Sequence, residues 1–302
     1  MIKLEKTPFG GWPNCYCYSN NKIELIITTD VGPRIIHYGW KGGENQFVVF
    51  PETSGKTGGD QWQLYGGHRL WNAPEHFPNS YYPDNGPIEI KEEKGFIRLM
   101  QPVETTTLIQ KEIDIYLSEE SEKAKVIHRL RNCAKELKGL APWSITALTP
   151  GGIGIIPFVL NKENPAPKPS LVFSAWDYTD VADNRIQWMS ACLLVRQDTS
   201  KTRWLKVGLN SPQGMMAYLR GSDLFIKKFA TFPGQKYADN GSMEECWTND
   251  RYLELEALAP IQMIEPGQAV EHTETWSLLK LTSLPKNNEE IVEQVLPLIL
   301  GC

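Results

Sequence analysis

Apolar and polar residues alternate along most of this chain, a period of two that turns successive side chains to opposite faces of a strand. The alternation predicts strands over 22–28, 34–40 and 46–50, separated by the turn signals Asp30-Val31-Gly32-Pro33 and Lys41-Gly42-Gly43. It also predicts a hairpin of 88–90 with 95–100, a long strand over 106–117 and its partner over 125–132. In 106–117, Ile113, Ile115 and Leu117 fall on one face and Glu112, Asp114 and Tyr116 on the other. Further strands are expected over 142–149, 153–160, 171–175, 186–188, 192–195, 203–209, 214–219, 224–229, 252–258, 261–264 and 269–281. Prolines at alternate positions in 161–170 predict an extended surface connection. Only 288–300 carries a helical stripe, formed by Ile291, Val292, Val295 and Ile299. Asn287 or Asn288 is its expected cap, and Pro297 is expected to end or kink it.

Roughly twenty short strands and one short C-terminal helix predict an all-β architecture, a large antiparallel β-sandwich occupying 1–302 as one domain. No internal repeat of about 20–50 residues argues for a propeller or solenoid. Charge narrows the partners. The 31 basic and 36 acidic residues give a net charge of −5, and Lys and Arg nowhere cluster, which argues against nucleic acid or an anionic membrane. No window approaches the run of about 18 apolar residues that a spanning helix needs, and the N-terminus lacks a leader's apolar core, so a cytoplasmic protein with a small polar ligand is expected. The six cysteines show neither the density of a disulfide framework nor paired zinc-site spacings, so they are expected to be reduced, with no metal and no cofactor. The oligomeric state is left open.

The densest candidate chemistry lies in 65–85, YGGHRLWNAPEHFPNSYYPDN. Gly66 and Gly67 permit a tight turn or a close backbone approach, and Pro74, Pro78 and Pro83 each fix φ and remove a donor, so a rigid loop with no long strand is expected. His68, Arg69, Asn72, Glu75, His76 and Asp84 offer polar and titratable groups, and Trp71, Tyr81 and Tyr82 offer flat faces, a mixture suited to a polyhydroxylated ring. A second candidate is Tyr252-Leu253-Glu254-Leu255-Glu256, whose register projects Glu254 and Glu256 side by side. On an exposed face they are ordinary solvated charges; on a concave one, repulsion raises one pKa and makes a general acid or base. Trp40, Trp71 and Trp143, beside glycine or proline turns, are the better stacking candidates. Trp176, Trp188, Trp204, Trp247 and Trp276 read more safely as core, and His37, His128 and His272 as structural histidines.

Taken in order, these pieces resemble the galactose mutarotase-like (aldose epimerase-like) superfamily, within it a branch without an assigned activity. Gly66 to Glu75 is similar to its double-glycine turn and proline loop at the mouth of a sugar cleft. Val126 to Asn132 followed by Ala141 to Thr146 is similar to the strand pair that carries its catalytic histidine. Tyr252 to Glu256, Glu265-Pro266-Gly267 and Thr273 to Leu278 resemble its catalytic-glutamate strand and closing strands. The resemblance spans roughly residues 22–281 and implies a metal-independent supersandwich with a carbohydrate in a concave cleft. It implies Glu256 or Glu254 as the base; Arg69, Trp71, Asn72, Glu75, Tyr82, Asp84 and Trp143 are the substrate-binding candidates by residue type. The family histidine is not matched: Trp143 and Ser144 stand nearest to its place. His68 is the candidate acid approaching from another strand. An isomerase of the aldose 1-epimerase type, a non-catalytic carbohydrate-binding module, and a sugar lyase or hydrolase on a related sandwich all remain open.

Overall fold

The computed structural model describes residues 1–158 and 169–301. Two ten-stranded antiparallel sheets face each other. In spatial order the first runs Lys3–Phe9, Trp12–Ser19, Ile23–Thr28, Arg34–Trp40, His68–Asn72, Pro142–Leu148, Leu253–Leu258, Glu244–Thr248, Leu205–Leu209 and Phe173–Ala175. The second runs Ile186–Trp188, Cys192–Arg196, Ile153–Pro157, Met215–Arg220, Asp223–Phe229, Ala269–Lys280, Lys123–Asn132, Ile109–Leu117, Phe96–Met100 and Glu89–Glu93. This is the expected all-β sandwich. The core between the sheets takes every second residue of each strand: Leu70, Leu253, Leu255, Ala257, Leu205 and Val207 from the first sheet, and Ile113, Ile115, Val126, Phe225 and Leu278 from the second. Large apolar surfaces on both inner faces drive this pairing, because each removes its partner's area from water.

Several elements differ from their predicted form. The stretch 65–85 is not loop throughout: His68–Asn72 is a five-residue strand in the middle of the first sheet, paired to both Arg34–Trp40 and Pro142–Leu148. HRLWN contains no glycine or proline, and the prolines act only from Pro74 onward. The two glycines deliver the chain into that strand. Gly66 (φ +88) and Gly67 (φ +70) are left-handed, and a Cβ on either would lie 2.1 Å from Val48 O or 2.3 Å from Ile35 O, so only glycine fits both conformation and space. Residues 46–50 form isolated bridges, Phe47 to Leu148 and Val49 to Gly66, instead of a strand. Lys3–Phe9 with Trp12–Ser19, and Glu244–Thr248, are strands beyond those predicted. The end of the predicted 153–160 strand and most of 161–170 lie outside the described residues.

The C-terminal helix forms over the expected span. Asn287 caps it by accepting from Glu290 N at 2.8 Å. Pro297 does not end it: Ile291–Val295 winds as a π-turn just before the proline, where the ladder would be interrupted, and Leu296–Leu300 continues as α-helix. No helix among the described residues is long and apolar enough to cross a membrane.

Candidate functional site

The central strands of the first sheet bury both faces, and the strict alternation decides which side chain meets which environment. Pro142–Leu148 is buried throughout. Its Ser144 and Thr146 point between the sheets, where they meet groups of the second sheet, while Trp143 and Ile145 pack on the outer face. Across the ladder Ile145 pairs with Arg69 on one side and Glu256 on the other, Glu256 pairs with Glu245, and Glu254 pairs with Trp247. Five strands therefore bring Arg69, Trp71, Trp143, Glu254, Glu256, Trp247 and Lys206 to one patch, around a cavity of about 470 Å³.

An ion pair and a lysine set between two carboxylates lie at the floor of this cleft, Glu245 being enclosed beneath it. Arg69 Nη1 donates to Glu254 Oε1 at 2.7 Å, and the guanidinium carbon lies 4.9 Å from the Trp71 ring centroid. Lys206 Nζ lies 2.7 Å from Glu245 Oε2 and 3.0 Å from Glu256 Oε2, between the rings of Trp143 and Trp176 at 4.7 Å from each centroid. Trp143 Nε1 donates to the same Glu256 oxygen at 2.9 Å. Burial disfavours the Lys206 charge, but Glu245 and Glu256 outweigh it and hold the ammonium charged, well above its usual pKa. One ammonium cannot neutralise two carboxylates. Burial accordingly pushes Glu256 and Glu245 upward against the pull of Lys206. Glu75 stands at the rim and accepts from the Tyr81 hydroxyl.

Of the candidate residues, Arg69, Trp71, Glu75, Trp143, Glu254 and Glu256 line the cleft. His68, the candidate acid, does not line it. It is fully buried and faces the core, because it stands one residue from Arg69 on a strand whose alternate residues point outward. Asn72 turns away as well and accepts from Ala141 N at 2.8 Å. Tyr82 belongs to an adjoining groove, and Asp84 is tied to the buried Arg34 at 2.6 Å. Trp40 lies elsewhere, with Nε1 donating to Asp223 at 2.9 Å. Trp176, Trp204 and Trp247, read from sequence as core, line the cleft together with Trp62, Tyr178, Tyr252 and Lys206. Lys206 and Trp204 flank Leu205 in Arg203-Trp204-Leu205-Lys206-Val207, and that alternation was the available signal for Lys206.

His68 joins a different constellation, a polar seam between the sheets. His128 Nδ1 lies 3.1 Å from His272 O, which can only accept, so Nδ1 carries the proton. His128 Nε2 then accepts from His68 Nε2–H at 2.6 Å, and His68 Nδ1 accepts from the Thr146 hydroxyl at 2.8 Å. Thr146 accepts in turn from Lys227 at 3.1 Å, and Lys227 pairs with Glu274 at 3.0 Å. Ligand atoms of His68, His128 and Glu274 lie within 4.8 Å of one another, the spacing a metal could use. In this arrangement, however, the carboxylate already has an ammonium partner, and the two imidazoles are close enough for a direct hydrogen bond. Burial holds the His68 and His128 pKa values down, and His272 down to about 3; burial raises Glu274, but Lys227, His128, His272 and the Ser144 hydroxyl together outweigh it and hold the carboxyl at about 2.

Two facing ten-stranded antiparallel sheets with an aromatic, ion-paired cleft on an outer face define a large β-sandwich, and comparison with solved structures gives it a particular fold. No family model matches the sequence, and no curated protein matches it. A candidate aldose 1-epimerase from Klebsiella pneumoniae superposes with a TM-score of 0.61 at 12% identity, over 99% of this chain and 88% of that one. A galactose mutarotase-like protein from Lactobacillus casei gives 0.56 at 10% identity, over 88% of this chain and all (100%) of that one. A TPR-domain containing protein from Parabacteroides distasonis gives 0.60 at 13% identity over 91% of this chain, which spans about half (49%) of that protein. The chain has the galactose mutarotase-like, aldose epimerase-like fold expected from its motif order.

Proposed function

We propose that this protein binds a carbohydrate in the outer-face cleft, holding the ring by stacking on tryptophan and tyrosine and its hydroxyls by Glu254, Glu256, Arg69 and Glu75. The observation that carries this reading is the lining itself: nine of its eighteen residues are Trp or Tyr, set around two carboxylates whose charges are partnered. Apolar ring faces take the C–H faces of a sugar, and fixed carboxylates accept from its hydroxyls. The volume suits a ligand of one to two rings. The fold of the aldose 1-epimerase and mutarotase structures supports the same ligand class.

Binding without fast chemistry is the form the geometry favours. Ring opening and closure needs a base at the anomeric hydroxyl and an acid at the ring oxygen, and none of the described lining residues is histidine. The tyrosines are weak acids there: burial and then Glu75 push Tyr81 up to about 12, and burial raises Tyr178 and Tyr252 as well. An epimerase reading rests on one specific feature, the side-by-side Glu254 and Glu256. Burial pushes the pKa of Glu256 upward against the pull of Lys206, the direction a general acid needs, and Glu254, paired with Arg69, stands beside it in the place of a base.

The test is an NMR titration of free aldoses and uronic acids, with α/β exchange rates read from the same samples, on wild type, Glu254→Gln, Glu256→Gln and Trp204→Ala. Trp204 is 56% exposed, so its loss spares the core. The expected result is saturable binding weakened about tenfold or more by Trp204→Ala, with little acceleration of exchange. Exchange lowered about 10²-fold by either glutamine variant establishes the epimerase instead. No binding to any sugar refutes the reading.

A further inference from the structure

The cleft does not end at its aromatic wall. Trp62 and Tyr81 line both the carboxylate cavity and a second, larger groove of about 810 Å³ on their far side. That groove runs over Phe77, Pro78, Tyr82 and Pro83, and its polar edge is made by Asp60, Gln61, Thr105 and Thr106. The aromatic contacts continue across the divide. Trp143 and Trp71 lie 5.4 Å apart by ring centroid, Trp71 and Tyr81 5.0 Å, and Tyr81 and Phe77 6.0 Å. Phe77 is 78% exposed, an apolar ring held in solvent at the end of this series.

Resting on the carbohydrate reading of the cleft, we infer that the ligand is a neutral oligosaccharide of at least two rings, with one ring above Glu254 and Glu256 and the next ones laid across Tyr81 onto Phe77 and Tyr82. Continuity with the cleft selects this occupant: a chain that leaves the carboxylates over the Trp62–Tyr81 divide enters this groove. Alternating flat faces and hydroxyl partners repeat on its far side, where the Tyr82 hydroxyl lies near Thr105 Oγ1 at 3.5 Å. Charge selects neutrality. None of the described residues lining the groove is Lys or Arg, and Asp60 adds a carboxylate, so a uronate or sulfated chain meets no counter-charge and one repulsion. Stacking tolerates different sugars, so length, more than identity, sets the gain in affinity.

The experiment is calorimetric titration of the whole protein with malto-, cello- and manno-oligosaccharides of one to four rings, and with oligogalacturonates of the same lengths. The variants are Phe77→Ala/Tyr82→Ala and Glu254→Gln. The expected result is affinity rising about three- to tenfold from one ring to two or three in at least one neutral series, a gain abolished by the Phe77/Tyr82 double variant with single-ring affinity unchanged. Glu254→Gln weakens every length together. Single-ring binding with no gain on lengthening, or a gain that survives the double variant, overturns the inference and leaves the cleft reading standing. Preference for the galacturonates overturns its charge argument. Absence of binding to every sugar overturns both. Sedimentation showing a dimer that the double variant dissolves assigns the groove to a second copy of the chain and overturns the inference as well.

Discussion

Two lysine–glutamate constellations lie back to back in the first sheet and its neighbour, built from the same residue types and set to different uses. In the seam between the sheets, Lys227, Glu274, His68 and His128 are fully enclosed and bonded to one another. On the outer face, Lys206, Glu256, Glu254 and Arg69 are also buried by their neighbours, but they floor a cavity of about 470 Å³ that a ligand can enter, with Glu245 enclosed behind Lys206. What separates them is one residue of register. His68 and Arg69 are neighbours in sequence, as are Ser144 and Trp143, yet each pair is split between the two environments. A titratable group is chemically available only on the side of the strand where there is room, so residue type near a motif says less than parity within the strand.

The sharpest way to break this comparison is to remove one cation from each side. Lys227→Met leaves Glu274 buried and uncompensated, and unfolding in urea should lose about 3–5 kcal/mol. Lys206→Met should cost less, about 1–3 kcal/mol, because water in the cleft can reach Glu256, one of the two carboxylates it leaves. Equal losses would mean that the cleft is as dry as the seam.

Protonation separates the regions next. The buried histidines have folded pKa values below the unfolded value of about 6.5, so the unfolded chain binds more protons in acid. Their contribution to stability is complete above pH 6.5 and is lost as pH falls, for His272 down to about 3. The raised carboxylates of Glu244, Glu245 and Glu256 act in the opposite sense, being relieved on acidification, so the net slope is best read by difference. Replacing His272 with Gln should remove about 1.4 kcal/mol per pH unit from the slope of stability between pH 6 and pH 5. An unchanged slope would show that His272 is not held neutral. The smallest effect expected is on binding: His68→Gln, on the wrong side of the sheet, should change sugar affinity by less than about twofold, where Trp204→Ala changes it about tenfold. A large loss of affinity in His68→Gln at intact stability would move the ligand to the seam.

The strand pattern was legible in the sequence because a period of two with turn residues between is set locally, and the order of the mutarotase-like motifs was enough to expect the fold. Glu254 and Glu256 were legible as a pair for the same reason. Which face they occupied was not, because that depends on the strands on either side, Pro142–Leu148 and Glu244–Thr248, the second of which sequence reading missed. The charged run Glu244-Glu245 looks like a solvated turn until Lys206 is placed across from it. His68 was read as a loop residue through the prolines that follow it: they signal a loop, yet His68–Asn72 pairs along Pro142–Leu148, His68 and Arg69 pair with Arg34–Trp40 as well, and the segment takes a strand's parity. The tryptophans divide similarly. Trp276 is core at 0% exposure, whereas Trp204 is half exposed at 56%, and nothing local distinguishes them.

The central claim, that the outer cleft and not the histidine seam holds a carbohydrate, is tested most directly by a crystal structure of the protein with a neutral oligosaccharide. The account predicts a ring stacked between the Trp71–Trp143 wall and Trp204, with at least one hydroxyl on Glu254 or Glu256 and no displacement of Lys227 from Glu274. Density for the sugar at the seam, or bound on a surface that touches neither glutamate, would contradict it.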